Sequence, residues 1–106
     1  MNDFKIIYKI LKILQESLDY EELDMDRLSA EALGISEPHR KGLFRMLYQD
    51  GLIEGVTIKH YTNSRSSTVL INSYRLCITM KGLEYLKENS MMKKCADLAK
   101  GIAEIL

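Results

Sequence analysis

One proline, two cysteines, two histidines and no long apolar run are what this 106-residue chain has little of, and each scarcity removes a class of protein. With a single proline and no glycine-, serine- or proline-rich tract there is no linker, so the chain reads as one domain, long enough to bury about 65% of its unfolded surface. Cys77 and Cys95 stand alone in apolar settings, without CxxC spacing or disulfide density, and are expected to be reduced thiols in the core. The longest apolar runs are a few residues and lysines break up the first helical segment, so neither a signal peptide nor a membrane span is expected. A cytoplasmic protein is the default expectation. No repeat or low-complexity segment is visible.

Catalytic machinery is also scarce. His39 and His60 have no Cys, His or carboxylate partners at ligand spacing, and no glycine-rich phosphate loop or nucleophile constellation is present. The chain is therefore expected not to be an enzyme and to use no metal or cofactor. His39 reads as a surface residue in a first helical turn and His60 as a strand residue.

Formal net charge is zero, which taken alone argues against nucleic acid, but the sum conceals a polarity along the chain. Residues 1–38 carry four Lys/Arg and nine Asp/Glu, residues 39–81 carry seven and two, and residues 82–106 carry four and four. An acidic start is thus set against a basic middle, and from Val56 to Thr79 there is no acidic residue at all.

Hydrophobic periodicity gives the element order. Asn2 or Asp3 can cap a helix reaching about Leu18, with Lys5, Lys9, Lys12, Glu16 and Asp19 on one narrow polar stripe. Phe4, Ile6, Ile7, Tyr8, Ile10, Leu11, Ile13, Leu14 and Leu18 fill most of the remaining circumference, so this helix needs cover on more than one side. "DYEELDMD" (19–26) is an acidic loop with room for a very short strand at 22–24. A short helix over 27–33 follows, capped by Asp26, with Leu28 and Ala32 inward and Gly34 as a left-handed terminator. Ser36 as N-cap, Glu37 at the positive helix end and Pro38 in the first turn then start a helix that Gly51 stops. Two helices joined by Gly34, Ile35 and Ser36 form a helix-turn-helix.

From Leu52 the period becomes two. Val56, Ile58 and His60 alternate with Thr57, Lys59 and Tyr61; after "TNSRSS" (62–67), a return strand runs over 69–78 with Tyr74, Leu76 and Ile78 on one face. Thr79 caps a helix carrying Met80, Leu83, Leu86 and Tyr85, without a capping box because Gly82 occupies its third position. Residues 91–106 form a last helix with Met92, Cys95, Ala99, Ile102 and Leu106 at heptad spacing.

This order predicts an α+β, mainly α fold: a winged helix-turn-helix with a three-helix core, a two-stranded hairpin wing and a C-terminal helical extension. Residues 1–90 are the winged-helix part and 91–106 a packing or dimerisation helix of the same domain. "GLIEG", "ITMKGLEYLKENS" and "MMKKCADLAKGIAEIL" resemble the YjcQ family of small winged-helix proteins of bacteria and prophages, across nearly the whole chain. The resemblance implies the winged-helix fold, the placement of the last helix and a phage or mobile-element origin.

In a DNA-binding winged helix the third helix enters the major groove and the hairpin touches the backbone or minor groove. Projected at 100° per residue, Leu43, Phe44 and Leu47 fall on one side of the 37–50 helix, and Pro38, Lys41, Gly42, Arg45 and Gln49 on the other. Arginine and glutamine suit guanine and adenine edges, and lysine suits phosphate. The candidate DNA contacts are therefore Lys41, Arg45 and Gln49, with Arg65 in the wing (62–68) and Lys59 and Arg75 gripping backbone. Gly42 serves either packing against a neighbouring helix or close approach of a ligand. Double-stranded DNA is the expected partner and transcription regulation the expected role. The alternative is a non-catalytic protein-interaction module. Met92, Cys95, Ala99, Ile102 and Leu106 are the candidate interface of a homodimer, or else fold back within the chain.

Overall fold

Asn2 opens the first helix: its side-chain oxygen accepts from the Phe4 N–H at 2.9 Å, and α1 runs Asp3–Ser17. The computed structural model describes residues 2–60 and 67–90. Ile6, Ile7, Ile10, Leu11, Ile13 and Leu14 are buried, and α1 packs against the segment that follows it and against the last strand. Phe4 and Leu18 remain exposed, so the wide apolar face is covered along its middle and open at both ends.

The single short helix expected over 27–33 is two pieces. Met25–Leu28 is a 3-10 turn capped by Asp24, not Asp26, and α2 is Ala30–Leu33. Ser29 separates them: its hydroxyl donates to the Asp26 carbonyl (3.0 Å) and accepts from the Ala32 N–H (3.1 Å), which holds its own backbone extended and restarts the helix. Leu28 and Leu33 point into the core, whereas Ala32 is exposed. Among the described residues no strand forms at 22–24. Gly34 ends α2 in the left-handed conformation at φ 71°, as its position predicts.

Helix α3, Glu37–Gln49, starts where its capping residues place it, with the Ser36 hydroxyl accepting from the His39 N–H at 3.2 Å and Pro38 in the first turn. Leu43, Phe44 and Leu47 are buried. Two cations fasten the helices: Lys9 donates to the Ala32 carbonyl at 3.2 Å, and Arg40 donates to the Leu28 carbonyl, pairs with Glu37 at 2.9 Å and lies over the Phe44 ring.

Four strands follow: β1 (Ile53–Glu54), β2 (Val56–His60), β3 (Ser67–Ile71) and β4 (Cys77–Ile78). β2 and β3 form the antiparallel wing hairpin, from Val56 opposite Ile71 at its base to His60 opposite Ser67 towards its tip. Val56 and Val69 are buried and α3 packs against both strands, so the inner face of the hairpin sits on the helical core. The predicted return strand over 69–78 is interrupted. Asn72 folds the chain into a turn, its side chain accepting from the Tyr74 N–H (2.9 Å) and its carbonyl from the N–H groups of Arg75 and Leu76 (3.1 and 2.8 Å). Tyr74 consequently points fully into solvent and Cys77 is half-buried instead of buried; its thiol donates to the Ile78 carbonyl. Opposite this turn, Gly55 has φ 92° and abuts the backbone of Arg75 and Leu76 so closely that no Cβ fits.

After the break β4 pairs with β1, Ile78 opposite Ile53. Thr79 then starts α4 (80–90), in which Leu86 is buried, Leu83 and Tyr85 are half-buried and Met80 is exposed. The architecture is α+β, mainly helical, and winged-helix-like: three α-helices with a 3-10 turn before the second, a hairpin and a following helix. Arg65 at the wing tip, and Met92, Cys95, Ala99, Ile102 and Leu106 of the expected last helix, lie outside the described residues.

Gly82 is buried where α4 meets the β1–β4 ladder, and a Cβ there would run into the Leu52 carbonyl and the Ile78 side chain. Gly82→Ala is expected to destabilise the fold by about 1–3 kcal/mol, despite alanine's better helix propensity. Urea unfolding monitored by circular dichroism would register this as a lower midpoint; an unchanged or higher midpoint would mean that α4 does not press on the ladder there.

Candidate nucleic-acid interface

Ser36 and Pro38 fix where α3 begins, and Leu43, Phe44 and Leu47 fix which side meets the core. The outward side chains follow from those two constraints. Arg45 and Gln49 are exposed and Lys41 is half-buried, all on the side away from the core, with Met46 and Tyr48 exposed at its edges. At a rise of about 1.5 Å per residue, Lys41 and Gln49 stand about 12 Å apart along the axis. That is two helical turns of polar and cationic surface, the length that a recognition helix offers to base edges and phosphates.

The candidate cations differ from the two paired arginines of the helical core. Arg27 is paired with Glu16 at 3.1 Å and Arg40 with Glu37, whereas Lys41, Arg45, Lys59 and Arg75 form no ion pair with any described residue. Glu37 at the start of α3 is engaged by Arg40, and Asp3 at the start of α1 lies 2.9 Å from the Nε2 of His39. His60 is exposed on β2.

On the wing, Lys59 is exposed opposite Thr68, one residue short of the pair nearest the tip. Arg75 lies elsewhere. It sits in the Asn72 turn beyond the hairpin base, about 14 Å of strand length from the His60–Ser67 pair, and lines a groove with Tyr20, Glu21 and Glu22. The six candidates thus divide into a trio on α3, Lys59 towards the tip, Arg75 at the base, and Arg65 outside the described residues.

A known family, described as YjcQ protein, has a model that matches residues 8–105, which takes in nearly all of α1, the helix-turn-helix, the hairpin, α4 and most of the chain beyond it. The chain belongs to the YjcQ family. No curated protein and no solved structure gives a significant match. Among the described residues of this YjcQ-family chain no helix is long and apolar enough to cross a membrane.

Two features of the YjcQ-family surface were not read from the sequence. Lys81, in the first turn of α4, lies beside Gly51 where α3 ends, close to the negative end of the α3 dipole, and extends the cationic surface past Gln49. Its place two residues after the Thr79 cap was the available signal. Arg40, by contrast, is a structural cation held by Leu28, Glu37 and Phe44 and is withdrawn from any ligand.

Gly42 lies mid-helix on the outward side, and an added Cβ would meet no described atom within 4 Å. Packing by a described neighbour is therefore not the reason for glycine here. Gly42→Ala is expected to stabilise the protein by about 1 kcal/mol, raising Tm by roughly 4–8 °C. A lower Tm in a thermal melt would show that the position is covered.

Proposed function

We propose that this protein binds double-stranded DNA, with the outward face of α3 in the major groove and the β2–β3 wing against the backbone, and that it acts as a non-enzymatic transcription regulator in the cytoplasm. The observation that carries the reading is the set of uncommitted cations on one side of the fold: Lys41 and Arg45 on α3 and Lys59 on the wing have no carboxylate partner among the described residues, while Arg27 and Arg40 are held by Glu16 and Glu37. Arg45 and Gln49 are placed to read base edges and Lys41 and Lys59 to meet phosphate, with Arg65 adding a backbone contact; Arg75, in the groove lined by Glu21 and Glu22, is left out of this surface. Gly42 lets the groove approach the α3 backbone. In this reading Met92, Cys95, Ala99, Ile102 and Leu106 pair two copies so that two recognition helices meet successive half-sites.

A second reading, a non-catalytic protein-interaction module, draws on the exposed Met46 and Tyr48 that flank the same face with apolar surface. The two readings separate on charge. Lys41→Ala combined with Arg45→Ala is expected to weaken binding to a fluorescently labelled duplex by roughly tenfold to several hundredfold, at about 1–3 kcal/mol for a base contact and somewhat less for a phosphate contact. Tm should be unchanged because neither side chain belongs to the core. Equal anisotropy titrations for the variant and the parent protein would remove α3 from the DNA interface and favour the protein-binding reading.

A further inference from the structure

A groove of about 690 Å³ lies between the segment leaving α1 and the Asn72 turn. Tyr20, Glu21 and Glu22 line it from one side and Tyr74 from the other, with buried Leu76 and half-buried Met25 supplying apolar surface. Tyr74 is 99% exposed and Tyr20 73% exposed, so neither ring contributes its area to the fold. The presentation of Tyr74 is nonetheless built in, because three N–H groups of its turn are held by Asn72. Rings held in solvent on both sides of a cleft of this size are what a peptide-binding site offers.

The chemistry of the occupant follows from the charge. Residues 19–26 carry five carboxylates and no Lys or Arg. Glu21 and Glu22 form no ion pair with any described residue, and Arg75, the cation in the lining, is outside ion-pair reach of both. Phosphate is repelled by such a surface. A guanidinium is accepted by it, as one site already shows: in an adjoining cavity of about 320 Å³ that shares Tyr20 and Glu22, Arg27 donates to Glu16 at 3.1 Å. A planar guanidinium satisfies carboxylates in pairs and stacks on tyrosine rings, which an ammonium does less well.

We propose that this groove docks an arginine-bearing segment of a partner protein, with guanidinium groups on Glu21 and Glu22 and against Tyr20 and Tyr74, and apolar side chains on Met25 and Leu76. The site is built from residues other than the α3 face and stands whether or not DNA binds there.

The test is a titration of the 15N-labelled full chain with a five-residue peptide alternating arginine and alanine, followed by amide chemical shifts. Shifts concentrated in 17–25 and 72–77 are expected, together with at least a tenfold weaker affinity in the Glu21→Gln/Glu22→Gln double variant and in Tyr74→Ala. The glutamate counterpart of the peptide should leave the spectrum unchanged. All three substituted residues are exposed, so the variants should keep the parent Tm. The proposal is overturned by an unperturbed spectrum at millimolar peptide, by shifts scattered over the surface, or by shifts at the groove that both variants retain.

Discussion

The rest of the fold depends on one threonine. The Thr79 hydroxyl donates to the Gly51 carbonyl at 2.6 Å and accepts from the Gly82 N–H at 3.1 Å, while the Thr79 N–H donates to the Leu52 carbonyl at 3.1 Å. A hydroxyl can donate once and accept twice, and this one joins the end of α3 to the start of α4. The two-residue β1–β4 ladder is too short to hold itself in water. It persists because the Thr79 junction closes one end, the Gly55–Asn72 contact closes the other, and Ile53 and Ile78 are buried between them. This places the hairpin squarely against α3, and from that placement follows the outward face carrying Lys41, Arg45 and Gln49.

The polarity along the sequence becomes a division between elements. Of the middle-segment cations, Lys41 and Arg45 on α3, Lys59 on β2 and Lys81 on α4 are unpaired among the described residues, while Arg40 is held by Glu37; Glu21 and Glu22 of the 19–26 loop face the Asn72 turn across the groove. Arg75 belongs by sequence to the basic segment and by position to the acidic groove. A zero net charge therefore hides a molecule with one surface suited to polyanions and another suited to cationic side chains.

Much of this was legible because the signals were local. Ser36, Pro38 and Gly51 bound α3 in the sequence as they do in the structure, and the 3.6-residue period sorted Leu43, Phe44 and Leu47 from Lys41, Arg45 and Gln49. What escaped depended on competition between patterns or on tertiary contact. Alternation continued through 69–78, so the break at Asn72 was masked by a run of residues that suit a strand; the local hydrogen bonds of the asparagine won. Ser29 divided the second helix by the same kind of local bond. Gly82 reads in sequence as a missing capping partner, yet its place is set by the Leu52 carbonyl three positions past the end of α3. The acidic groove was not foreseen at all, because its two sides are about fifty residues apart in sequence and meet only through the fold.

Binding through the unpaired cations of α3 and the wing would displace counterions from duplex DNA, so affinity for a generic duplex measured across a salt series is the decisive quantity. With Lys41, Arg45, Lys59 and further wing contacts engaged, log affinity is expected to fall against log salt with a slope of about −3 to −5, at roughly 0.9 per phosphate neutralised. A flat dependence, or no binding at low salt, would contradict the account.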